Sequence, residues 1–440
     1  MKAQETSGAA DGTSASLRRA VGVPGAVLMG LGSILGTGVF VSLGLGAGIA
    51  GPAVVLAVAL AAGVAACNGL SSAQLAARHP VSGGTYEYGY RRLTPALGFT
   101  AGWMFLCAKS ASAATAALGL AGYLLSALGR DPGSTDRALL AVAAVAVLTA
   151  VVAGGITGSN RLNAIMVGTT ILALAAFVAI GTPAALGTRE HFTPFFSESV
   201  GLRDLLHATA LMFVAYTGYG RIATLGEEVR EPRRSIPRAI ITALVVTLLL
   251  YAAVVTVGIG AVGADRLAAA TLDTAAPLEE VARQLGHPGL AVAIVVGAVT
   301  AMVSVLLNLL LGLSRVLLAM ARRGDMPRAL AHIETRSASP ARAVVVVGVG
   351  VGLFALTGSV ATTWSFSAFT VLVYYALTNL AALQLAPEDR LYPRWISWLG
   401  LASCLGLAFW VETRFWAAGL ALIGVGLLWH QGAKRLASAP

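Results

Sequence analysis

Polar residues in this chain come in short clusters, and between the clusters lie long, almost uninterrupted apolar stretches. A helix that crosses a bilayer needs roughly 20 apolar residues. The stretches predict twelve such helices. The first six run over Val21–Ala50, Pro52–Ala77, Ala96–Leu128, Ala138–Ile156, Leu162–Leu186 and Leu202–Leu225. The second six run over Pro237–Val262, Gly289–Ala321, Ala343–Thr357, Thr363–Leu385, Trp395–Val411 and Phe415–Trp429. The ninth is short. Pro232 and Pro237 are expected to break the chain before helix 7, because proline removes a backbone donor and crowds the preceding turn.

Composition agrees with the pattern. Of 440 residues, 57% are hydrophobic and 11% charged, where a soluble domain carries about a quarter charged. The 51 glycines suit close helix packing in lipid. Cys67, Cys107 and Cys404 all fall inside apolar runs, so they read as small apolar filler and not as a disulfide or metal framework. Met1 to Ser16 lacks the apolar core of a signal peptide and reads as a disordered cytoplasmic tail.

The net charge of +10 sets direction. With both termini inside, and with Arg203 and Arg238 at the span ends counted with the loops they adjoin, inner segments hold 20 Lys/Arg and outer segments 7, with three more inside spans. This satisfies the positive-inside rule and predicts a cell-membrane protein with cytoplasmic termini. Because the basic residues sit in short loops between spans, no nucleic-acid partner is expected.

Two spans carry glycine where a helix wants none. Helix 1 contains Gly30-Leu31-Gly32-Ser33-Ile34-Leu35-Gly36-Thr37-Gly38, and helix 6 contains Tyr216-Thr217-Gly218-Tyr219-Gly220-Arg221. Each glycine weakens a helix by about 1 kcal/mol relative to alanine. Both stretches lie near mid-span, and each opens a set of five helices. Irregular backbone at membrane depth survives only where protein or a water-filled cavity satisfies it. Paired interruptions in two halves mark the site of a transporter built from inverted repeats. Half-helix amino ends suit a carboxylate and freed carbonyls suit an ammonium; an α-amino acid has one of each. Tight packing of small residues is the competing explanation.

The residues resemble the amino acid–polyamine–organocation superfamily of permeases. The resemblance rests on GLGSILGTGVF in helix 1, HPVSGGTYEYGY and GFTAGW before and in helix 3, AYTGYGRIATLGEEVREPRRSIPRAI from helix 6, and SRVLLAMARRGDMP at the end of helix 8. It implies an all-α integral membrane fold of about twelve helices. Ten form the five-plus-five inverted repeat seen in leucine transporters, with helices 1 and 6 broken and two helices added. The implied organisation is a tail over 1–16, a first repeat over 17–186, a second over 187–390, and helices 11 and 12 with a cytoplasmic C-terminus over 391–440. Substrate is expected between helices 1, 3, 6, 8 and 10. On this resemblance Ile34, Thr37 and Gly38 match the carboxylate-binding segment, and Gly36 beside them is taken into the substrate site. Val214, Ala215 and Thr217 match the stretch whose carbonyls receive the amine, and Gly218 beside them is taken into the substrate site. Val214 stands where many members have an aromatic gate, for which Phe213 or Tyr216 can substitute. Thr170 is aligned with a lysine of proton-coupled members, Gly220 with a common acid and Gln74 with a common glutamate, so the usual coupling groups are absent.

The charges inside spans carry the remaining chemistry. Lys109 lies near the middle of helix 3, where a charge costs about 2.5–3.5 kcal/mol on insertion scales. Lysine, unlike arginine, can lose its proton; snorkelling and a fixed ion pair are the competing readings. Arg221 can bind a substrate carboxylate or pair with Glu87 or Glu227. Glu227 and Glu228 read as inner-gate residues, and Arg315 as a structural residue. Thr300, Ser304 and Asn308 share one face of helix 8, as Thr370, Tyr374 and Thr378 do on helix 10. Such stripes line cavities or glue helices. Asn308 is taken into the substrate site, and Ser304 with helix 1 carbonyls is the candidate sodium site.

The expected function is secondary-active transport of a neutral or acidic amino acid by alternating access, proton-coupled or by exchange, with protons or sodium as coupling ion. An amino acid sensor or a partner-assembled binding subunit is the alternative. Neither a metal-ligand motif nor a nucleophile–base constellation stands out, so no enzyme activity, metal or other cofactor is expected.

Overall fold

The computed structural model is described for residues 21–78, 83–130, 133–155, 160–196, 200–224, 229–334 and 339–437. Among these, twelve helical passes follow one another in the predicted order. Helix 1 is Val23–Ile34, then, after an interruption, a π-turn Gly38–Ser42 continuing as Leu43–Ala50. Helices 2 to 5 are Val54–Arg78, Pro95–Ala127, Ser134–Ala153 and Asn160–Gly187. Helix 6 is Leu202–Tyr216, a 3-10 turn Thr217–Tyr219, and Gly220–Ala223. Helices 7 to 12 are Pro232–Val262, Pro288–Arg323, Ala341–Ala355, Val360–Leu383, Arg394–Ala408 and Thr413–Ala437. The expected disordered tail over 1–16 lies outside the described residues.

Helix ends follow local chemistry. Pro95 and Pro288 stand at first helical positions, where the missing N–H costs nothing. Thr94 caps helix 3 by accepting from the Leu97 amide at 3.3 Å, and Ser359 caps helix 10 through the Thr362 amide at 3.2 Å. One expectation is corrected here. Pro232 and Pro237 do not both break the chain: Pro232 starts helix 7 and Pro237 lies within it. Pro232 is the residue with the preset φ for a helix start, and the turn it nucleates carries the second proline.

Helix pairing shows the internal repeat. Exchange helices 1 with 6, 2 with 7, 3 with 8, 4 with 9 and 5 with 10, and the packing maps onto itself. Helix 2 packs on 6 as 7 packs on 1, helix 3 on 10 as 8 on 5, and helix 3 on 4 as 8 on 9. The pairs 1 and 6, 2 and 7, 3 and 8, and 4 and 9 pack against each other. Since five is odd, the second set crosses in the opposite sense. Helices 3 and 10 are central and buried over most of their length, whereas helix 12 is mostly outward-facing.

Three short helices were not foreshadowed by the long apolar stretches. Thr85–Arg92 lies at the end of the bundle that holds the termini. Ala264–Asp273 and Pro277–Gln284 lie between helices 7 and 8 and fold over the second half of helix 1. Arg137 in the first turn of helix 4 fastens this cover, donating to the carbonyls of Asp273 at 2.9 Å and Gly358 at 3.1 Å. The Leu278 amide donates to the Tyr123 hydroxyl, which in turn donates to the Phe40 carbonyl at 2.9 Å.

Candidate functional site

The two interruptions meet. A Cβ built on Gly218 would overlap the Ser33 carbonyl, and one on Gly38 would lie 2.7 Å from the Ala215 Cβ. Any side chain at Gly218 therefore forces the backbones of helices 1 and 6 apart. The helix 1 break is a true opening: Leu35 leaves helical geometry with φ −75° and ψ 98°. Helix 6 is milder. It tightens into one 3-10 turn while Thr217 and Gly220 keep right-handed helical angles.

Carbonyls released by these interruptions need partners, because burial without one costs about 1–3 kcal/mol. Tyrosines supply them. The Tyr251 hydroxyl of helix 7 lies 2.9 Å from the Ile34 carbonyl and 3.3 Å from the Ala215 carbonyl, bridging both breaks. Tyr375 of helix 10 donates to the Thr217 carbonyl at 3.2 Å. The Thr217 hydroxyl donates to the Val214 carbonyl at 2.7 Å. Of the three helix 6 carbonyls assigned to an amine, those of Val214 and Thr217 also accept a backbone amide, from Thr217 and Gly220 respectively.

Around the breaks lies a cavity of about 400 Å³. Of the residues singled out from the sequence, Ile34, Thr37, Gly38, Lys109, Val214, Ala215, Thr217, Gly218, Arg221 and Asn308 all line it. The hydroxyl of Thr37 is buried there without a hydrogen-bond partner among the described residues. Lys109 is only 7% exposed, and its ammonium donates to the Thr217 hydroxyl at 2.7 Å. It does not snorkel, and among the described residues no carboxylate lies against it. Lys109 instead fastens helix 3 to the helix 6 interruption through a short chain, Lys109 to Thr217 to the Val214 carbonyl.

Other residues lie elsewhere. Gly36 packs against helix 8, where a Cβ would come 2.6 Å from Val305. Ser304 does not line the cavity. Its hydroxyl lies 3.4 Å from the Asn163 Oδ1, and Asn163 also donates to the Leu28 carbonyl at 3.4 Å. The side chain joining helices 1, 5 and 8 is therefore Asn163. Thr170, aligned above with the family's lysine, bonds instead to Met166 and Gly297 carbonyls. Gln74 faces Ser397 on helix 11, beside a polar cluster of Asn68, Asn379 and Cys404. Phe213 and Tyr216 do not line the cavity either: Phe213 packs edge-on to Tyr375, and Tyr216 donates to the Val58 carbonyl at 3.1 Å. The aromatic walls come from Phe105, Trp364, Tyr374 and Tyr375, none of them marked by a broken-helix signature.

The polar stripes divide. On helix 8, Asn308 lines the cavity while Thr300 bonds its own helix. On helix 10, Tyr374 lines it, Thr370 bonds its own helix, and Thr378 meets Thr85 at 2.7 Å.

The cavity runs toward the end of the bundle that bears the termini, along Gly220, Arg221, Thr224, Gly312 and Arg315. Arg315, expected to be structural, is an exposed part of this wall. The expected gate residues Glu227 and Glu228 lie outside the described residues. Glu87 pairs with Arg91 at 2.8 Å and Arg323 at 2.6 Å. Beside it, Asp325 is buried and accepts from Tyr86 at 2.6 Å and Tyr90 at 2.7 Å. Burial, helped by that carboxylate, pushes both phenols above their ordinary pKa. The end-of-helix-8 motif thus anchors the Thr85–Arg92 helix.

Comparison with known proteins fits this architecture. The amino acid permease family model matches residues 25–434. An uncharacterized transporter of Mycobacterium tuberculosis is 43% identical, covering 96% of this chain and 92% of the relative. A branched-chain amino acid permease of Bacillus subtilis is 30% identical over 89% of this chain and 86% of its own length. A methylthioribose transporter of the same organism is 29% identical, covering 82% and 81%. The chain belongs to the amino acid permease family of multi-pass membrane transporters.

Proposed function

We propose that this protein is a secondary-active transporter that carries a neutral or acidic amino acid across the cell membrane by alternating access. One observation carries the reading. The cavity at the two interruptions brings together the buried Thr37 hydroxyl, without a hydrogen-bond partner among the described residues, and two cations, Lys109 and Arg315, with no carboxylate among its described lining residues. The amino end of the second half of helix 1 and Thr37 take the substrate carboxylate. The carbonyl edge of the helix 6 interruption, Ala215 foremost, takes the ammonium. Asn308 completes the site. Cations on the wall favour a neutral or anionic side chain and repel a cationic one, and the branched-chain specificity of the Bacillus relative supports the neutral option.

Lys109 is the coupling group in this proposal, cycling between a charged form held by Thr217 and a neutral form, in proton-coupled transport or exchange. The repeats are assigned to 17–186 and 187–390, with helices 11 and 12 in 391–440. The Lys/Arg asymmetry supports cytoplasmic termini. Uptake by proteoliposomes of the purified chain, with leucine, glutamate and arginine as labelled substrates, tests the reading. Leucine or glutamate should accumulate and arginine should not. Arginine uptake alone would overturn the charge argument, and binding without flux for any substrate would favour a sensor.

A further inference from the structure

A second cavity, of about 620 Å³, lies away from the substrate site, between helices 3, 8, 9 and 12 and the 3-10 turn Arg328–Ala331. We propose that it holds an acyl chain of an anionic phospholipid whose headgroup rests at the termini-bearing end of the bundle. Its volume equals that of about twenty waters in the liquid, yet its wall offers water almost nothing. The indole N–H groups of Trp103 and Trp429 are already given to the Leu422 and Asp325 carbonyls, each at 2.9 Å. Apart from Ser110 and Cys107, the other side chains on the wall are apolar. A large pocket with so few polar partners takes hydrocarbon.

The mouth is on the bilayer side. Val346 and Trp429, both on the wall, are 48% and 49% exposed on helices 9 and 12. The charge around it selects the headgroup. Arg328 is exposed between Pro327 and Ala329, which are both on the wall, and exposed Arg342 stands one helical turn before Val346. Basic residues beside a pocket between membrane helices recognise anionic lipid headgroups. This occupant braces the 326–330 segment whose neighbour Asp325 holds Tyr86 and Tyr90.

Native mass spectrometry with dioleoylphosphatidylglycerol or dioleoylphosphatidylcholine added to the delipidated chain tests the proposal. The wild type should retain one phosphatidylglycerol at least fivefold more than phosphatidylcholine, and Arg328→Ala with Arg342→Ala should erase that preference. Gly350 lies on the wall with open space where a Cβ would stand, so Gly350→Phe should remove the bound lipid. A probe that needs no substitution is Cys107 on the same wall. Phosphatidylglycerol should slow its reaction with a bilayer-soluble maleimide, read by peptide mapping, and phosphatidylcholine should not. Equal retention of both lipids, or unchanged Cys107 reactivity, overturns the proposal, as does a detergent tail that phosphatidylglycerol cannot displace.

Discussion

At the scale of single residues, Lys109 is the least ordinary feature of the molecule. A buried ammonium normally has a carboxylate beside it, because burying a charge without one is costly. Here its described partner is a neutral threonine. A purely structural lysine at this place would be easily bettered by methionine, which has similar reach and no desolvation cost. Lys109→Met is therefore expected to melt no lower than the wild type while losing transport. Loss of the coupling group should lower uptake by about tenfold or more, a change of about 1.4 kcal/mol or more. What remains should no longer vary with pH. Uptake by the variant across the pH range, set beside its melting temperature, checks both halves. A variant whose flux kept the wild-type pH profile would remove Lys109 from coupling.

At the scale of elements, much was legible and the losses have physical reasons. Twelve spans could be read because each apolar stretch must carry its own length through hydrocarbon, and that demand is local. Both interruptions could be read because glycine is costly in a helix wherever it is not needed. What repaired them could not be read: Tyr251 is six helices away in sequence from the first break, and nothing about an isolated tyrosine in helix 7 announces that it bridges Ile34 and Ala215. Asn163 escaped in the same way, since its role depends on helices 1 and 8 meeting at helix 5. The covering helices Ala264–Asp273 and Pro277–Gln284 were too short and too polar to register. Tyr251→Phe keeps the ring and deletes the bridge, leaving buried carbonyls at both breaks short of a donor. It should lower stability by about 1–3 kcal/mol and reduce uptake. A thermal melt with a parallel uptake assay reads the outcome, and an unchanged melt would mean the breaks do not depend on this tyrosine.

At the scale of the whole molecule, the two ends of the substrate cavity differ. One end is covered by the helices between 7 and 8 and pinned by Arg137 and Tyr123, while the other runs along Gly312 and Arg315 to the face that bears the termini. In alternating access a substrate moves the equilibrium only by binding one conformation better than the other. Gly312 offers a direct probe, since it lies on the open wall with nothing near the place of a Cβ. Gly312→Cys should react quickly with a membrane-impermeant thiol reagent in inside-out vesicles and slowly in right-side-out ones. Cys67, Cys107 and Cys404 lie on membrane-spanning helices, so peptide mapping separates the introduced thiol from them. A transported amino acid that draws the chain toward the outward-facing form should slow the reaction in inside-out vesicles, and arginine should not. Equal reactivity from both sides would mean that the covering helices do not seal the far end of the cavity.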